Sequence, residues 1–484
     1  MSDVVVLGAG VSGHTAALHA RRVLGKQHTI TVISPNSHWN WIPSNIWVGV
    51  GKMGKEKVVF PLAPVYDRKG IQFRQAKALS IWPEGDSDSQ RPSVEIEYTA
   101  KGKEGTTEKV HYDYLINATG PKLKFEATPG LGPDGHTVSV CSAEHAVEAA
   151  ASLQSVIEKL KQGVKQTLVV GMGHGTCTCQ GAAFEYVFNV EQELQKAGVR
   201  DLATLVFLTN EPTLGDFGMG GMVFDQKGSE VNSEVWAQSL FRERGVVVIT
   251  GSHVERVDEG LIAYESLDGE HHELAFDFAM LIPPFSGVPL KAFKADGSDI
   301  TSELFAPSGF MKVDADYTPK PYEEWKASDW PNTYQSPSYD NIYAVGIAFA
   351  PPHQISKPTK TANGTPIAPA PPRTGMPSGV MGRAVAMSIA RRIKHGDQAK
   401  SLPASMANMG AACVASAGTG MLKGSAASMT VRPIVPDYDR YPTGRDTEDT
   451  SGDMGLAGHW VKYMLHHLFI YKAKGYPFWQ FIPE

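Results

Sequence analysis

Four consecutive apolar residues, Val4-Val5-Val6-Leu7, run directly into Gly8-Ala9-Gly10-Val11-Ser12-Gly13 and then into an Ala/His/Arg-rich segment. A short unbroken apolar run suits a strand buried on both faces of a parallel sheet, and the glycines permit a tight turn into a helix. Gly8, Gly10 and Gly13 let the backbone approach a pyrophosphate, whose charge would meet the N–H groups at the helix start. The motif alone is weak, but here it lies between a strand and a helix, and a second strand, Thr29-Ile30-Thr31-Val32-Ile33, follows. That context selects a dinucleotide-binding β-α-β unit. Where an acid would meet the adenosine ribose the chain has Ser34, followed by Pro35 and Asn36. A serine hydroxyl can bond a ribose hydroxyl, though a strand-ending turn explains it equally well.

The layout repeats. Thr167-Leu168-Val169-Val170 leads into Gly171-Met172-Gly173-His174-Gly175, with a helix expected from about Gln180 to Lys196. Two such units in 484 residues predict an α/β fold with two Rossmann-like dinucleotide-binding domains. The expected divisions are 1–165 for the first part of an FAD-binding domain, 166–290 for a second Rossmann-like domain, 291–394 for the return to the first, and 395–484 for a C-terminal amphipathic, membrane-associating region. Tyr114-Leu115-Ile116-Asn117-Ala118-Thr119-Gly120-Pro121 and Asn341-Ile342-Tyr343-Ala344-Val345-Gly346 read as the strands that return to the first domain. Pro351 to Pro377 is dense in proline and predicts an extended linker, followed by a helix from Ser378 to Lys394 whose start could point N–H groups at a flavin pyrimidine.

Composition removes other classes. With 42% hydrophobic and 20% charged residues the chain can bury sizeable cores, and a net charge of -6 with dispersed Lys and Arg argues against nucleic acid. The opening Met1-Ser2-Asp3 lacks the pattern of a cleaved signal peptide, and no apolar run is long enough to span a bilayer. The four cysteines, 141, 177, 179 and 413, are too few and too scattered for a disulfide scaffold and too poorly spaced for a zinc site, so no metal is expected.

Cys141 follows the short strand Thr137-Val138-Ser139-Val140 and precedes a helix; Cys179 opens the helix after the second Gly-rich turn. A helix N-terminus favours the thiolate, the state that sulfur exchange needs. One cysteine of this kind reads as a small buried hydrophobe, whereas two in matching contexts point to redox thiols. His145 and Glu185 follow them within one or two helical turns and are candidate proton carriers, Glu185 if burial raises its pKa.

These segments, with Ala118-Thr119-Gly120-Pro121-Lys122, Cys179-Gln180-Gly181-Ala182-Ala183-Phe184-Glu185 and Val345-Gly346-Ile347-Ala348-Phe349-Ala350-Pro351-Pro352, resemble sulfide:quinone oxidoreductases over most of the chain. The flavoprotein of flavocytochrome c sulfide dehydrogenase is a near relative. The resemblance implies noncovalent FAD, held by Gly8, Gly10, Ser12, Gly13, Ser34, Thr119, Gly120, Pro121, Lys122, Gly346, Arg373, Thr374 and Gly375. It implies sulfide oxidised to polysulfide or sulfur at a cysteine pair on one flavin face, quinone reduced on the other, and a peripheral attachment to the prokaryotic cytoplasmic membrane. By the same resemblance Cys141 and Cys179 are the two N-terminal redox cysteines, His145 a histidine of the site and Glu185 a proton-relay carboxylate. Arg373-Thr374-Gly375 stands where the family has Lys-Thr-Gly, a cation suited to the anionic reduced flavin.

The chain departs from that pattern at three places. The family's third cysteine falls on Ser405, with Cys413 eight residues later; a histidine expected in the loop after Glu211-Pro212 is Asp216; and Cys177 is an additional thiol. Cys179 is expected to carry the sulfur next to the flavin, with either Cys141 or Cys413 as its partner and Cys177 also a candidate. The C-terminal segment has Trp460, Met464, Leu468 and Tyr471 at helical spacing with Lys462, His466 and His467 among them, then Tyr476-Pro477-Phe478-Trp479-Gln480-Phe481-Ile482. The segment suits a membrane interface, or a tail packed on the protein or on a second copy in a homo-oligomer. Two alternatives remain: a flavoprotein that passes electrons to a c-type haem partner, and a type II NADH dehydrogenase that binds nicotinamide at Gly171 to Gly175.

Overall fold

The computed structural model describes residues 1–226, 228–373, 375–418 and 424–484. The opening strand, Asp3–Leu7, is the middle of the first sheet and buries Val4 to Leu7 almost completely. It lies parallel to Thr29–Ser34 on one side and Tyr114–Asn117 on the other, with Val5 opposite both Thr31 and Leu115. Gln72–Trp82 and the antiparallel strands Ser93–Tyr98 and Thr107–His111 extend one edge; Ile342–Ala344, from far along the chain, completes the other. Lys291–Ala292 pairs with Ser80 and Ile81, so the chain has rejoined the first sheet by that point.

The helix Val11–Leu24 packs closely on Met376–His395. Glycine makes this possible: a Cβ on Gly382 would lie 2.2 Å from the Ser12 carbonyl oxygen, and one on Gly13 2.1 Å from that of Gly8. The helix observed, Met376–His395, starts two residues before the position read from sequence.

The second sheet is wholly parallel, in the order Val247–Ile249, Ala203–Leu208, Gln166–Met172, Phe278–Ile282. An antiparallel meander, His253–Asp258, Leu261–Glu265 and His271–Ala275, covers it and closes a smaller core around Val169, Leu208, Val254 and Ile262. The helix after the second Gly-rich turn spans Gln180–Lys196, as read from sequence.

Beyond these lies an antiparallel sheet of Ala411–Gly418, Gly424–Val431 and Ser451–Gly455, followed by a helix, Leu456–Ala473. That helix reverses the usual soluble pattern. Its inner face buries His459 and His466 and nearly buries Lys462, whereas Trp460, Val461, Tyr463, Met464 and Tyr471 are exposed. The residues after it fold back: Trp479 is buried, and the Glu484 carboxylate pairs with Lys472 at 2.7 Å and His19 at 2.8 Å. Among the described residues no helix is long and apolar enough to cross a membrane.

Candidate active site

Of the two Gly-rich turns, the first is an open cradle. Gly8 has φ +96° and lies against Ala118, yet a Cβ on Gly10 would meet nothing within 4 Å. Space at the second glycine is what a pyrophosphate needs to approach the backbone. Gly120, with φ +73°, faces equal space, and Gly346, with φ +67°, sits against Ser12, where a Cβ would lie 2.5 Å from the hydroxyl. Ser34 is buried at the end of its strand, and Thr119 is held by Asn117, which accepts from its hydroxyl at 2.8 Å. Pro121 starts a short strand paired with Phe285–Gly287. Gly375, with φ +63°, precedes the Met376–His395 helix; Thr374 lies outside the described residues. Lys122 is exposed and pairs with Glu126 at 2.6 Å, so its charge faces a surface carboxylate.

Arg373 is 4% exposed. Its guanidinium donates to the carbonyls of Ile347 and Phe349 and stacks over the Phe310 ring, 4.5 Å from the centroid, while its Nε is buried with no hydrogen-bond partner among the described residues. The indole N–H groups of Trp39 and Trp47 are also buried without a hydrogen-bond partner among the described residues. Orphaned buried donors are rare and mark polar groups that a ligand would complete. The open first turn and the unpartnered Nε of Arg373 fit FAD.

Thiols gather at the start of the Gln180–Lys196 helix. Cys179 is the residue before the helix and adopts left-handed backbone angles, φ 72° and ψ 36°. A non-glycine residue held there is strained, which is typical of functional positions. Cys141, Cys413 and Arg373 all act electrostatically on the Cys179 thiol. Cys413, on the strand Ala411–Gly418, places its Sγ 3.0 Å from where a Gly181 side chain would begin. Any residue larger than glycine at 181 would displace that sulfur. Cys177 is fully buried and donates to the Ile282 carbonyl at 3.1 Å.

The expectation that helix starts depress the thiol pKa values is overturned. Burial in apolar surroundings pushes Cys179 up to about 12 and Cys141 and Cys413 to about 11, and raises Cys177 too. Loss of hydration outweighs the partial charge of a helix end. The thiols therefore need a base.

Glu185 can supply it. It is buried, which raises its pKa, while Lys462 opposes that rise from a hydrogen bond of 3.0 Å to Oε2. The Ser416 N–H donates to Oε1 at 3.2 Å. Lys462 lies on the inner face of the C-terminal helix, a direction that sequence spacing did not disclose. His145 follows its capping residue Ser142 and packs its ring edge on Phe125, with Nδ1 buried and lacking a hydrogen-bond partner among the described residues.

The second Gly-rich turn differs from the first in being filled by protein. The proline-rich segment, expected to be a linker, lies across it: Ala368 N–H donates to the Gly175 carbonyl at 2.9 Å and Ala370 N–H to that of Cys177 at 3.0 Å. A Cβ on Gly175 would fall 2.5 Å from the Pro366 carbonyl oxygen. Asn210 and Gln180 brace the loop beneath through the Gly175 and Cys177 carbonyls.

Known proteins share this architecture. The model of the pyridine nucleotide-disulphide oxidoreductase family matches residues 2–194. Sulfide-quinone reductase from Aquifex aeolicus is 29% identical over 97% of this chain and 91% of its own length. The mitochondrial sulfide:quinone oxidoreductase of Dictyostelium discoideum is 22% identical over 72% of this chain and 65% of its own. The crystal structure of the Aquifex aeolicus sulfide:quinone oxidoreductase superposes with a TM-score of 0.75 at 27% identity, covering 98% of this chain and 92% of that one. NDH2 from Plasmodium falciparum, at TM-score 0.64 and 13% identity over 98% of this chain and 96% of its own, shares the fold. Along nearly its whole length, then, the chain is similar to sulfide:quinone oxidoreductases in sequence and in fold, and FAD is the cofactor of the proteins it matches.

Proposed function

We propose that the protein oxidises sulfide to polysulfide or sulfur at its cysteines and reduces a membrane quinone. The observation that carries this reading is the packing of the Cys413 Sγ against Gly181, two residues after the strained Cys179 and on the helix that also carries the buried Glu185. When bound, FAD takes up the electron pair released by sulfur and delivers it to the quinone. Hydrosulfide attacks one sulfur of a bridge between Cys179 and a partner thiol, breaking the S–S bond and leaving a persulfide on one cysteine and a thiolate on the other. Re-closing the bridge around the added sulfur releases two electrons and one proton, and Glu185 receives the proton. Cys413 is the partner that best replaces the thiol missing at Ser405, since it packs at the first turn of the Cys179 helix. Cys141 is the second candidate, and His145 serves as a further proton carrier on its side.

Arg373 and Gly375 would hold the flavin pyrimidine, and Gly8, Gly10, Ser12, Gly13, Ser34, Thr119, Gly120, Pro121 and Gly346 would line the rest of the cofactor path. FAD is held by segments 1–165 and 291–394; 166–290 carries the cysteine helix, and 395–484 closes the site. The exposed Trp460, Val461, Met464, Phe478 and Phe481 seat the protein on the cytoplasmic membrane of a prokaryote, where quinone is reached.

The second turn argues against a type II NADH dehydrogenase, because Pro366, Ala368 and Ala370 take the space a nicotinamide dinucleotide would need. Anaerobic addition of sulfide should bleach the flavin in milliseconds to seconds and NADH should not; bleaching by NADH alone would overturn the assignment. Cys179→Ser should slow sulfide bleaching by at least about a thousandfold, the scale of losing a covalent nucleophile.

A further inference from the structure

The C-terminal helix reaches into the sulfur site. Lys462 lies on its inner face, with a side chain 11% exposed, and its ammonium donates to Glu185 Oε2 at 3.0 Å. The same ammonium lies 5.9 Å from the centre of the Trp47 ring. A buried ion pair is a poor source of stability, because two charges lose their hydration to form it. Its presence calls for another reason.

The surroundings of Glu185 supply that reason. The C-terminal helix contributes Lys462 and also His459, which bonds Ser416. The strand Ala411–Gly418 contributes Cys413, whose thiol pKa the Glu185 charge pushes up and the Lys462 charge pulls down, and the Ser416 N–H. Lys52, anchored by Asn189 and Gln192, acts from the segment after Asn45–Gly49, and Cys179 opens the helix that carries Glu185. Lys462 is the cation bonded directly to the carboxylate. It is also borne on the element whose outer face is exposed and apolar.

We propose that Lys462 is a positioning residue of the sulfur site: it holds Glu185 as a carboxylate beside Cys413, so that the thiol is activated only while the C-terminal helix is seated. The proton leaves Cys413 Sγ for a Glu185 oxygen, and the electron pair stays on sulfur as thiolate. Without that cation, burial leaves Glu185 neutral over more of the pH range, and a neutral carboxyl cannot accept the proton. The inference rests on the sulfur-site reading above.

The test is alkylation of Cys413 by iodoacetamide as a function of pH, followed by peptide mass spectrometry on the full-length, FAD-loaded protein without sulfide. Lys462→Met should move the rising limb of reactivity to higher pH by about one unit, a roughly tenfold loss at fixed pH below the limb. Lys462→Arg should restore the wild-type limb. Glu185→Gln should slow the thiol similarly, and adding Lys462→Met to it should do nothing more. Superimposed limbs for wild type and a folded Lys462→Met would overturn the proposal, as would additive losses in the double variant. Should Lys462→Met fail to accumulate, Lys462→Gln carries the same comparison with a neutral donor in place. If the limb moves as described but Cys413→Ser reduces its flavin with sulfide at the full rate, the Lys462–Glu185 relation stands and the role of Cys413 in sulfur chemistry falls.

Discussion

The two Gly-rich turns come from the same strand-turn-helix plan and have diverged in what fills them. At the first, a Cβ on Gly10 would meet nothing within 4 Å. At the second, Pro366, Ala368 and Ala370 lie against Gly175 and Cys177, and the loop beneath is tied by Asn210 and Gln180. One turn keeps the room a dinucleotide requires; the other has become a rigid platform that presents Cys179 in a strained conformation. A repeat thus conserves backbone shape while its chemistry is set by what packs on it.

The sharpest way to break this contrast is to place side chains at the turns. Gly10→Asp puts a carboxylate into the open cradle without disturbing packing, so the protein should fold yet retain FAD at least about a hundredfold more weakly, as repulsion of a phosphate by a poorly solvated charge implies. Absorbance of bound flavin after gel filtration measures this. Full FAD occupancy in Gly10→Asp would mean that the cradle lies elsewhere. Gly8→Ala is the control for packing: with φ +96° and a Cβ 2.1 Å from the Ala118 oxygen, it should fail to accumulate at all.

At the second turn the braced loop continues into Glu211, which is 1% exposed and accepts hydrogen bonds from Phe217 N–H and the Thr209 hydroxyl. Burial, with Asp216 nearby, pushes its pKa up to about 7. A carboxyl whose folded pKa lies above its unfolded value of 4.5 contributes stability that is complete below 4.5 and is lost as pH rises through about 7. The span corresponds to at most about 3 kcal/mol. Chemical denaturation between pH 4.5 and 8 should show wild type losing stability on that scale, and Glu211→Gln should flatten the curve. An unchanged slope in the variant would place the titration on another group.

A smaller effect follows for Gly175→Ala. The new methyl would press on the Pro366 carbonyl and on His253, 2.5 and 2.9 Å away, and should cost about 1–3 kcal/mol as overpacking while leaving FAD occupancy intact. Loss of FAD in that variant would contradict the division of labour between the turns.

How much of this was legible beforehand depended on the range of the signal. Both Gly-rich turns, the Gln180–Lys196 helix and the strand returning at Ile342 follow from local pattern, because turn chemistry and apolar runs are written over a few residues. The places of Cys179 before that helix and of Glu185 along it follow for the same reason. The covering of the second turn was not: Pro366 to Ala370 carries only an extended-chain signature, and nothing local says what an extended chain lies against. Lys462 was visible as a cation among aromatics, but its direction depends on a helix that turns its polar face inward, contrary to the usual rule. The thiol pKa values were misjudged because helix position is local and burial is not.

Lys122 gives the smallest and most discriminating measurement at the first turn. It stands in the segment Ala118 to Lys122 that resembles a cofactor-binding stretch, yet its ammonium is turned to Glu126 on the surface. If the cradle works through open backbone at Gly10 and Gly120, this side chain contributes no charge to it. Exposed pairs of this kind contribute little to stability, because water screens both partners and two flexible chains must be ordered to meet. Lys122→Ala should therefore leave flavin occupancy, sulfide-driven bleaching and denaturation midpoint unchanged, whereas Gly10→Asp, at the open turn itself, weakens the hold on the cofactor. A fall in FAD retention on truncating Lys122 would show that the ammonium swings to the phosphates when the cofactor binds, and the first turn would then depend on charge as well as on empty space.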